Sequence, residues 1–245
     1  MAALPQPTQA SSNHLSELTK NPDSSFKVLY YPIHGRADLI RTILAYSRAK
    51  WEDLAFDWPN QKEKTPYKCV PVVYEETKSG EVLQLAEQQA IERYLARKFG
   101  LLGENAWEEH QINELSSSIE SLKTAFLQSL GSVAFEKRAE AHASFVLTKW
   151  AGFKEIHEAL LIKNGSNGHY IGNKFSLADF KLANTIQRLE EWVPEGAQPF
   201  PVSASATPAI WKVYKGVNSH SSIATWRSSP FYEVLSEGTR KKLKI

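Results

Sequence analysis

The chain has 245 residues, 42% of them hydrophobic, and its 29 basic and 27 acidic side chains leave a formal net charge of +2. That length suffices for one large domain or two small ones with a real core, and the near-balance of charge gives no sign of a nucleic-acid-binding protein. The single cysteine, Cys69, excludes an internal disulfide framework and cysteine-rich metal sites, a lone thiol suits a reducing compartment such as the cytoplasm, and no apolar run approaches the roughly 20 residues needed to span a bilayer.

Residues 1–25 are polar, with Ser, Thr, Asn, Gln and Pro prominent. They lack the apolar core of a secretory signal and are poor in arginine, which argues against a mitochondrial presequence. A disordered tail is the expectation. Phe26 to Tyr31 is rich in β-branched and aromatic residues and reads as a strand. Pro32 and Gly35 break it, and from Ala37 the apolar positions Leu39, Ile40, Ile43 and Leu44 recur at helical spacing. A hydroxyl from Tyr30 or Tyr31 then stands beside a helix start, where backbone N–H groups point outward, with Arg36 at the junction. That combination suits holding an anion such as a thiolate. A packed Tyr-Tyr pair and a plain Gly-Arg turn are the simpler alternative.

Trp51 to Phe56 is a plausible second strand. Asp57 to Cys69 is a loop with Trp58 at its head and three lysines, Lys62, Lys64 and Lys68. Val70 to Tyr74 reads as a strand whose Pro71 belongs at its start or at an edge, and is a candidate for a cis bond. A turn over Lys78 to Glu81 joins it to Val82–Leu85 as a hairpin. From Glu87 the pattern is helical, with Ile91, Tyr94 and Leu95 on one face. The order β-α-β-loop-β-β-α is that of a thioredoxin-like half, two helices on a small mixed sheet.

From Glu108 the strand signals fade. Ile112, Leu115, Ile119, Leu122 and Phe126 mark one amphipathic helix, and Phe145, Val146, Trp150, Phe153, Ile156 and Leu160 another. Gly165 to Gly168 is a turn. Ser176 and Asp179 form a capping box that starts a further helix. Pro194 to Pro208 is a Pro/Ala/Ser-rich loop, followed by helical stretches from Pro208 to His220 and from Ile223. The expected fold class is therefore α+β: a thioredoxin-like N-terminal domain (βαβ-ββα) over residues 26–102, then an all-helical C-terminal domain over residues 108–245.

This two-part organisation resembles the cytosolic glutathione S-transferases. Tyr30 to Asp38 resembles the Tyr-Phe-x-x-x-Gly-Arg-Ala-Glu signature of their sigma-like, tyrosine-using class. Trp58-Pro59, Lys62 and Val70-Pro71 resemble its Trp-Pro-x-x-x-Lys loop leading to a cis-proline. Gln89 to Ala96 is similar to the helix after its glutamyl-binding turn, and Ser176 to Asp179 to the capping box of its second domain. The resemblance covers roughly residues 26–231, and it implies glutathione as co-substrate, a small hydrophobic electrophile as second substrate, a homodimer and no metal.

On that resemblance Tyr30 is the catalytic hydroxyl, favouring the glutathione thiolate, with Arg36 in electrostatic support. The backbone of Val70, ahead of Pro71, pairs with the cysteinyl part as a strand edge. Trp58, Lys62 and Lys68 hold the glycyl carboxylate, while Lys64 is better read as solvated. The Glu87-Gln88 turn faces the γ-glutamyl end at a helix N-terminus, and Glu120 stands where the family places an acidic residue reaching across the dimer. Two departures stand out. Gln88 takes the place of a serine, and Lys68-Cys69 stands where Gly-Lys is common. Cys69 adjoins the expected thiol site, as a small loop residue or as a partner for a mixed disulfide. Three functions compete: a transferase that conjugates or isomerises an electrophile, a non-catalytic ligand-binding or structural member of the fold, and a glutathione-dependent thiol oxidoreductase using Cys69.

Overall fold

A computed structural model describes residues 3–58 and 60–243. Pro59, part of the expected Trp-Pro loop motif, lies outside the described residues, as do the last two positions of the expected helical domain. The chain divides into two compact units, Met1–Phe99 with Thr225–Thr239, and Gly100–Ala224 with Arg240–Ile245. Residues 225–239, read from the sequence as part of the helical domain, fall in the first unit.

The first unit is built on a four-stranded sheet in the order β2-β1-β3-β4, formed by β1 (Ser25–Leu29), β2 (Lys50–Asp53), β3 (Val72–Glu76) and β4 (Val82–Ala86). β1 and β2 are parallel, with Phe26 opposite Trp51, and are joined through α2 (Asp38–Tyr46) as a crossover. β3 is antiparallel to β1, with Leu29 opposite Val72, and to β4. The hairpin turn closes by Thr77 N–H donating to Glu81 O (2.9 Å), with Gly80 at φ 84°. α2 buries Leu39, Ile40, Ile43 and Leu44, and each such aliphatic contributes about 1.5–3 kcal/mol relative to exposure. α3 (Gln88–Lys98) buries Ile91, Leu95 and Ala96. The hydroxyl of the half-buried Tyr94 donates to the buried Glu75 (2.6 Å), which also pairs with Lys98 (2.8 Å). The expected β-α-β-loop-β-β-α order is present.

The expectation of a disordered tail over 1–25 is corrected over the described residues. A helix, α1 (Ser12–Leu18), forms there, its first turn capped by the Ser11 hydroxyl accepting from His14 N–H (3.3 Å). Upstream, Leu4 joins a cluster with Leu29, Val72, Tyr74 and Val82, against which Leu54, Phe56 and Val70 pack. Thr8 N–H donates to Val82 O (2.9 Å) and its hydroxyl accepts from Val82 N–H (2.8 Å). Downstream, Lys98 Nζ donates to the carbonyls of Thr19 and Asn21. Composition misses this because one leucine, one edge strand and one lysine suffice to tie down a polar segment.

In the second unit the helices are α4 (Ala106–Gly131), α5 (Arg138–Phe145), α6 (Ala151–Lys163), α7 (Leu177–Glu191) and α8 (Pro208–Ser219); α9 (Ser221–Arg227) and α10 (Pro230–Leu243) follow in the chain, with their residues 225–227 and 230–239 in the first unit. α4 buries Ile112, Ile119, Leu122 and Phe126 of the expected face, together with Ser116 and Leu130, while Leu115 of that face is only half-buried. Between α5 and α6 a π-helical stretch, Val146–Trp150, adds a residue to the turn. The added residue shifts the helical phase, so Phe153, His157 and Leu161 are buried while Ile156 (61% exposed) and Leu160 (40%) are not. The expected Ile156–Leu160 face is thus corrected. α7 is central, buried almost continuously from Leu177 to Ile186, and the Ser176–Asp179 capping box is present. Among the described residues, no helix is long and apolar enough to cross a membrane.

Candidate active site

Tyr30 follows β1 directly and is 7% exposed. The chain turns at Pro32, and Gly35 takes φ 47°, a left-handed value that favours glycine. A Cβ on Gly35 would lie 2.6 Å from the Tyr30 hydroxyl oxygen, so the absent side chain makes room for the phenol. Arg36 N–H donates to that oxygen (3.0 Å). The hydroxyl has one proton and two lone pairs. With one lone pair engaged, its O–H remains available to an acceptor. Burial is the main cause that raises the phenol's pKa, opposed by the Arg36 N–H and by the charges of Arg36 and Arg41. Tyr30 therefore stays protonated through the neutral range and keeps an O–H that can be donated.

An aromatic run leads away from this phenol. Tyr30 meets Tyr31 edge-on (5.7 Å between ring centroids), Tyr31 packs on Phe56 (4.2 Å), and Phe56 stacks on Trp58 (5.8 Å). The loop carrying Trp58 and Lys62 is organised by the buried Gln61. Its amide donates to Ala55 O (2.9 Å) and accepts from Asp57 N–H (2.8 Å).

The Val70–Pro71 peptide is cis, with Pro71 buried, and the β3 ladder begins only at Val72. Beside it, Glu87 occupies the N-cap of α3 at φ 66°, ψ 114°. A non-glycine residue in such a conformation costs about 1–3 kcal/mol and is concentrated at ligand-binding turns. The Glu87 carboxylate accepts from the Cys69 thiol (3.5 Å). Burial pushes the Cys69 thiol pKa up, the Glu87 hydrogen bond and charge add to this, and Arg36 pulls the other way. A thiol held protonated is a weak nucleophile. Cys69 should therefore react with iodoacetamide at mildly alkaline pH about threefold or more slowly than free cysteine, and Glu87→Gln should speed it. A native protein alkylated as fast as free cysteine would sink this assignment.

Residues 122–230 match the family described as glutathione S-transferase, C-terminal domain. A probable glutathione S-transferase 7 of Caenorhabditis elegans is 31% identical over 167 residues, which are 64% of this chain and 77% of that protein. The chain belongs to the glutathione S-transferase family. A glutathione S-transferase of Plasmodium falciparum is 29% identical over 191 residues, 71% of this chain and 85% of that protein. Among solved structures, a Fasciola hepatica sigma class glutathione S-transferase shares the fold with a TM-score of 0.70 at 23% identity, over 83% of this chain and 95% of that one.

Within this family member, most of the residues picked out by sequence fall into two sets, with Trp58, stacked on Phe56, and Lys62 on the loop in neither. Tyr30, Arg36, Cys69 and Glu87 are linked by hydrogen bonds or charge, with Val70-Pro71 joined to Cys69 in the chain. Three others have partners of their own. Lys68, at φ 53°, forms an exposed ion pair with Glu63 (2.7 Å), an interaction worth about 0–1 kcal/mol. The Gln88 amide donates to Glu92 (2.8 Å), one turn along α3. Glu120 pairs with the buried Lys181 (2.9 Å) inside the second unit. Sequence reasoning did not anticipate Gln61, Arg41 or His34. Arg41 is buried, ties Asp53 by Nε and Nη2 (3.1 and 2.5 Å), and donates through Nη1 to Ile33 O (2.7 Å). An arginine at a core position of a helical stripe is the signal that marks it.

The second unit holds an open cavity of about 530 Å³ lined by Trp107, Leu115, Ile156, Leu160 and His157, and none of the expected site residues borders it. His157 hydrogen-bonds with Tyr170 (2.6 Å) and Ser118 (3.0 Å), and burial pushes its pKa down to about 4, so it is neutral.

Proposed function

We propose that this protein is a glutathione transferase that activates the glutathione thiol for attack on a small hydrophobic electrophile, by conjugation or glutathione-dependent isomerisation. The observation that carries this is the Tyr30 phenol. It is kept protonated by burial, receives the Arg36 N–H, and is given room by Gly35. A free thiol with a pKa near 8.5 is only a few per cent ionised at neutral pH, and lowering it by about two units, roughly 2.7 kcal/mol, makes the thiolate the major form. Tyr30 does this by donating its O–H to the sulfur, and Arg36 adds positive charge at the same turn. Holding the nucleophile beside the electrophile supplies the rest.

The remaining roles belong to the same proposal. Val70 ahead of the cis proline offers a backbone edge, and the strained Glu87 turns the first N–H groups of α3 toward a carboxylate. Trp58 and Lys62 take the glycyl end. Lys68 must leave Glu63 to join them, at little cost for an exposed pair. Glu120, already neutralised by Lys181, has a core role that stands whether or not it reaches a partner subunit. A homodimer and a cytoplasmic setting are carried over from the resemblance.

One observation favours a second reading, a binding protein with little turnover. The Gln88 amide is committed to Glu92 instead of the open turn. Retention on immobilised glutathione, followed by titration of the bound thiol's ultraviolet absorbance, decides. The transferase is expected to be retained and to show thiolate about two pKa units below the free thiol. No retention, or a thiol that titrates as in water, would rule the transferase out.

A further inference from the structure

The turn that serves Tyr30 is held from two sides. From one side Arg41 donates to the carbonyls of Ile33 (2.7 Å) and Tyr31 (3.3 Å). From the other comes α10, whose residues 230–239 lie in the same unit as the turn. His34, fully buried, is the point of attachment. Its backbone N–H donates to the Thr239 hydroxyl (2.9 Å). That hydroxyl spends its own proton on Leu235 O (2.7 Å), so it is oriented as an acceptor. The His34 ring hydrogen-bonds with Ser236 (2.9 Å) and Asp38 (3.1 Å), and packs against Tyr232 at 4.5 Å between ring centroids. Between the two hydroxyl positions lies Gly238. A Cβ there would stand 2.3 Å from Pro32 O and 3.2 Å from a methyl of Ile33. Glycine is a poor helix-interior residue, and close approach of the helix backbone to the turn accounts for it here.

We propose that α10 is a positioning element for the thiol-activating turn. Gly238, Thr239 and His34 fix the height of Pro32 to Arg36, so that the Arg36 N–H meets the Tyr30 oxygen and the phenol O–H is aimed outward. The acidity of the bound thiol is then set in part by the C-terminal helix, which touches neither Tyr30 nor Arg36 through any of these contacts. This inference rests on the Tyr30 reading above.

The test is the titration of bound glutathione by ultraviolet absorbance, on the full chain and on Thr239→Val, Thr239→Ser and Gly238→Ala, with kcat and KM for an aromatic halide measured alongside. Thr239→Val removes the acceptor for His34 N–H while keeping the side-chain shape, and Gly238→Ala pushes on Pro32 O. Both are expected to raise the bound thiol's pKa by about one unit, which is about tenfold less thiolate at a pH below both values. kcat should fall in proportion and KM for the halide stay constant. Thr239→Ser should restore the native titration. A simple packing role would lower the melting temperature of the variants and leave the thiol's pKa unchanged, and that result overturns the inference. If Gly238→Ala does not fold, the Thr239 pair decides alone. A native protein that fails to lower the thiol's pKa overturns the Tyr30 reading and this inference together. A native protein that lowers it, beside Thr239→Val titrating identically, overturns this inference only.

Discussion

Tyr30→Phe is expected to cut conjugation of a generic aromatic halide roughly tenfold or more, a loss of about 1.4 kcal/mol in transition-state stabilisation, while glutathione is still retained. The substitution removes one oxygen and keeps the ring, so the edge-on contact with Tyr31 survives. What goes is the acceptor for Arg36 N–H and, on the proposed mechanism, the donor to the sulfur. Because burial holds the phenol protonated, the native donor is present across the whole neutral range. The deficit should therefore be largest at low pH, where thiolate is scarce, and should shrink as the pH rises through the thiol's own pKa and solution ionises it unaided. A pH–rate profile of both proteins checks this, and equal turnover at neutral pH would remove Tyr30 from the mechanism.

The largest stability effect is expected at Asp179→Ala, in the second unit. Asp179 is fully buried at the start of α7. One carboxylate oxygen accepts from both the backbone N–H and the hydroxyl of Ser176 (2.8 Å each), and the other from Tyr170 N–H (2.9 Å). Alanine strands these buried donors, each costing about 1–3 kcal/mol, so a loss of roughly 3 kcal/mol or more is anticipated. Asp179→Asn, which keeps one acceptor oxygen, should fall between. Urea unfolding followed by the helical circular dichroism signal measures it, and an unchanged midpoint would contradict the account. Activity per folded molecule should be nearly unaffected, because the lesion lies in the scaffold.

Those two residues were both legible in the sequence, for different reasons. Asp179 sits three residues after a serine at the head of an apolar helix, a local code that needs no tertiary information. Tyr30 was legible because a strand, a breaker and a helix follow one another within a dozen residues. What stayed hidden depends on contacts distant in sequence. His34 reads as an ordinary turn residue until Ser236 and Thr239 are brought to it. α10 is hard to read because three of its four buried positions, Tyr232, Ser236 and Thr239, carry hydroxyls and leave Leu235 as a lone aliphatic in the rhythm. The π-helical turn before α6 defeated the periodicity of Ile156 and Leu160, since a constant period cannot register an added residue. For Lys68 and Gln88, which neighbour each side chain chooses, Glu63 and Glu92, is a matter of local competition that spacing does not resolve.

The segment around Thr8 has a bearing on handling the protein. β4 is the outermost strand of its sheet, and its Val82 amide and carbonyl are both occupied by Thr8. Bare outer strands recruit further strands from other molecules. A shortened version beginning at Phe26, the obvious choice if the first residues are dismissed as dispensable, would unmask those groups and leave Tyr74 and Val82 without Leu4 over them. Such a trimmed protein invites clumping at high concentration, so the leading residues serve as a built-in cover for this sheet edge.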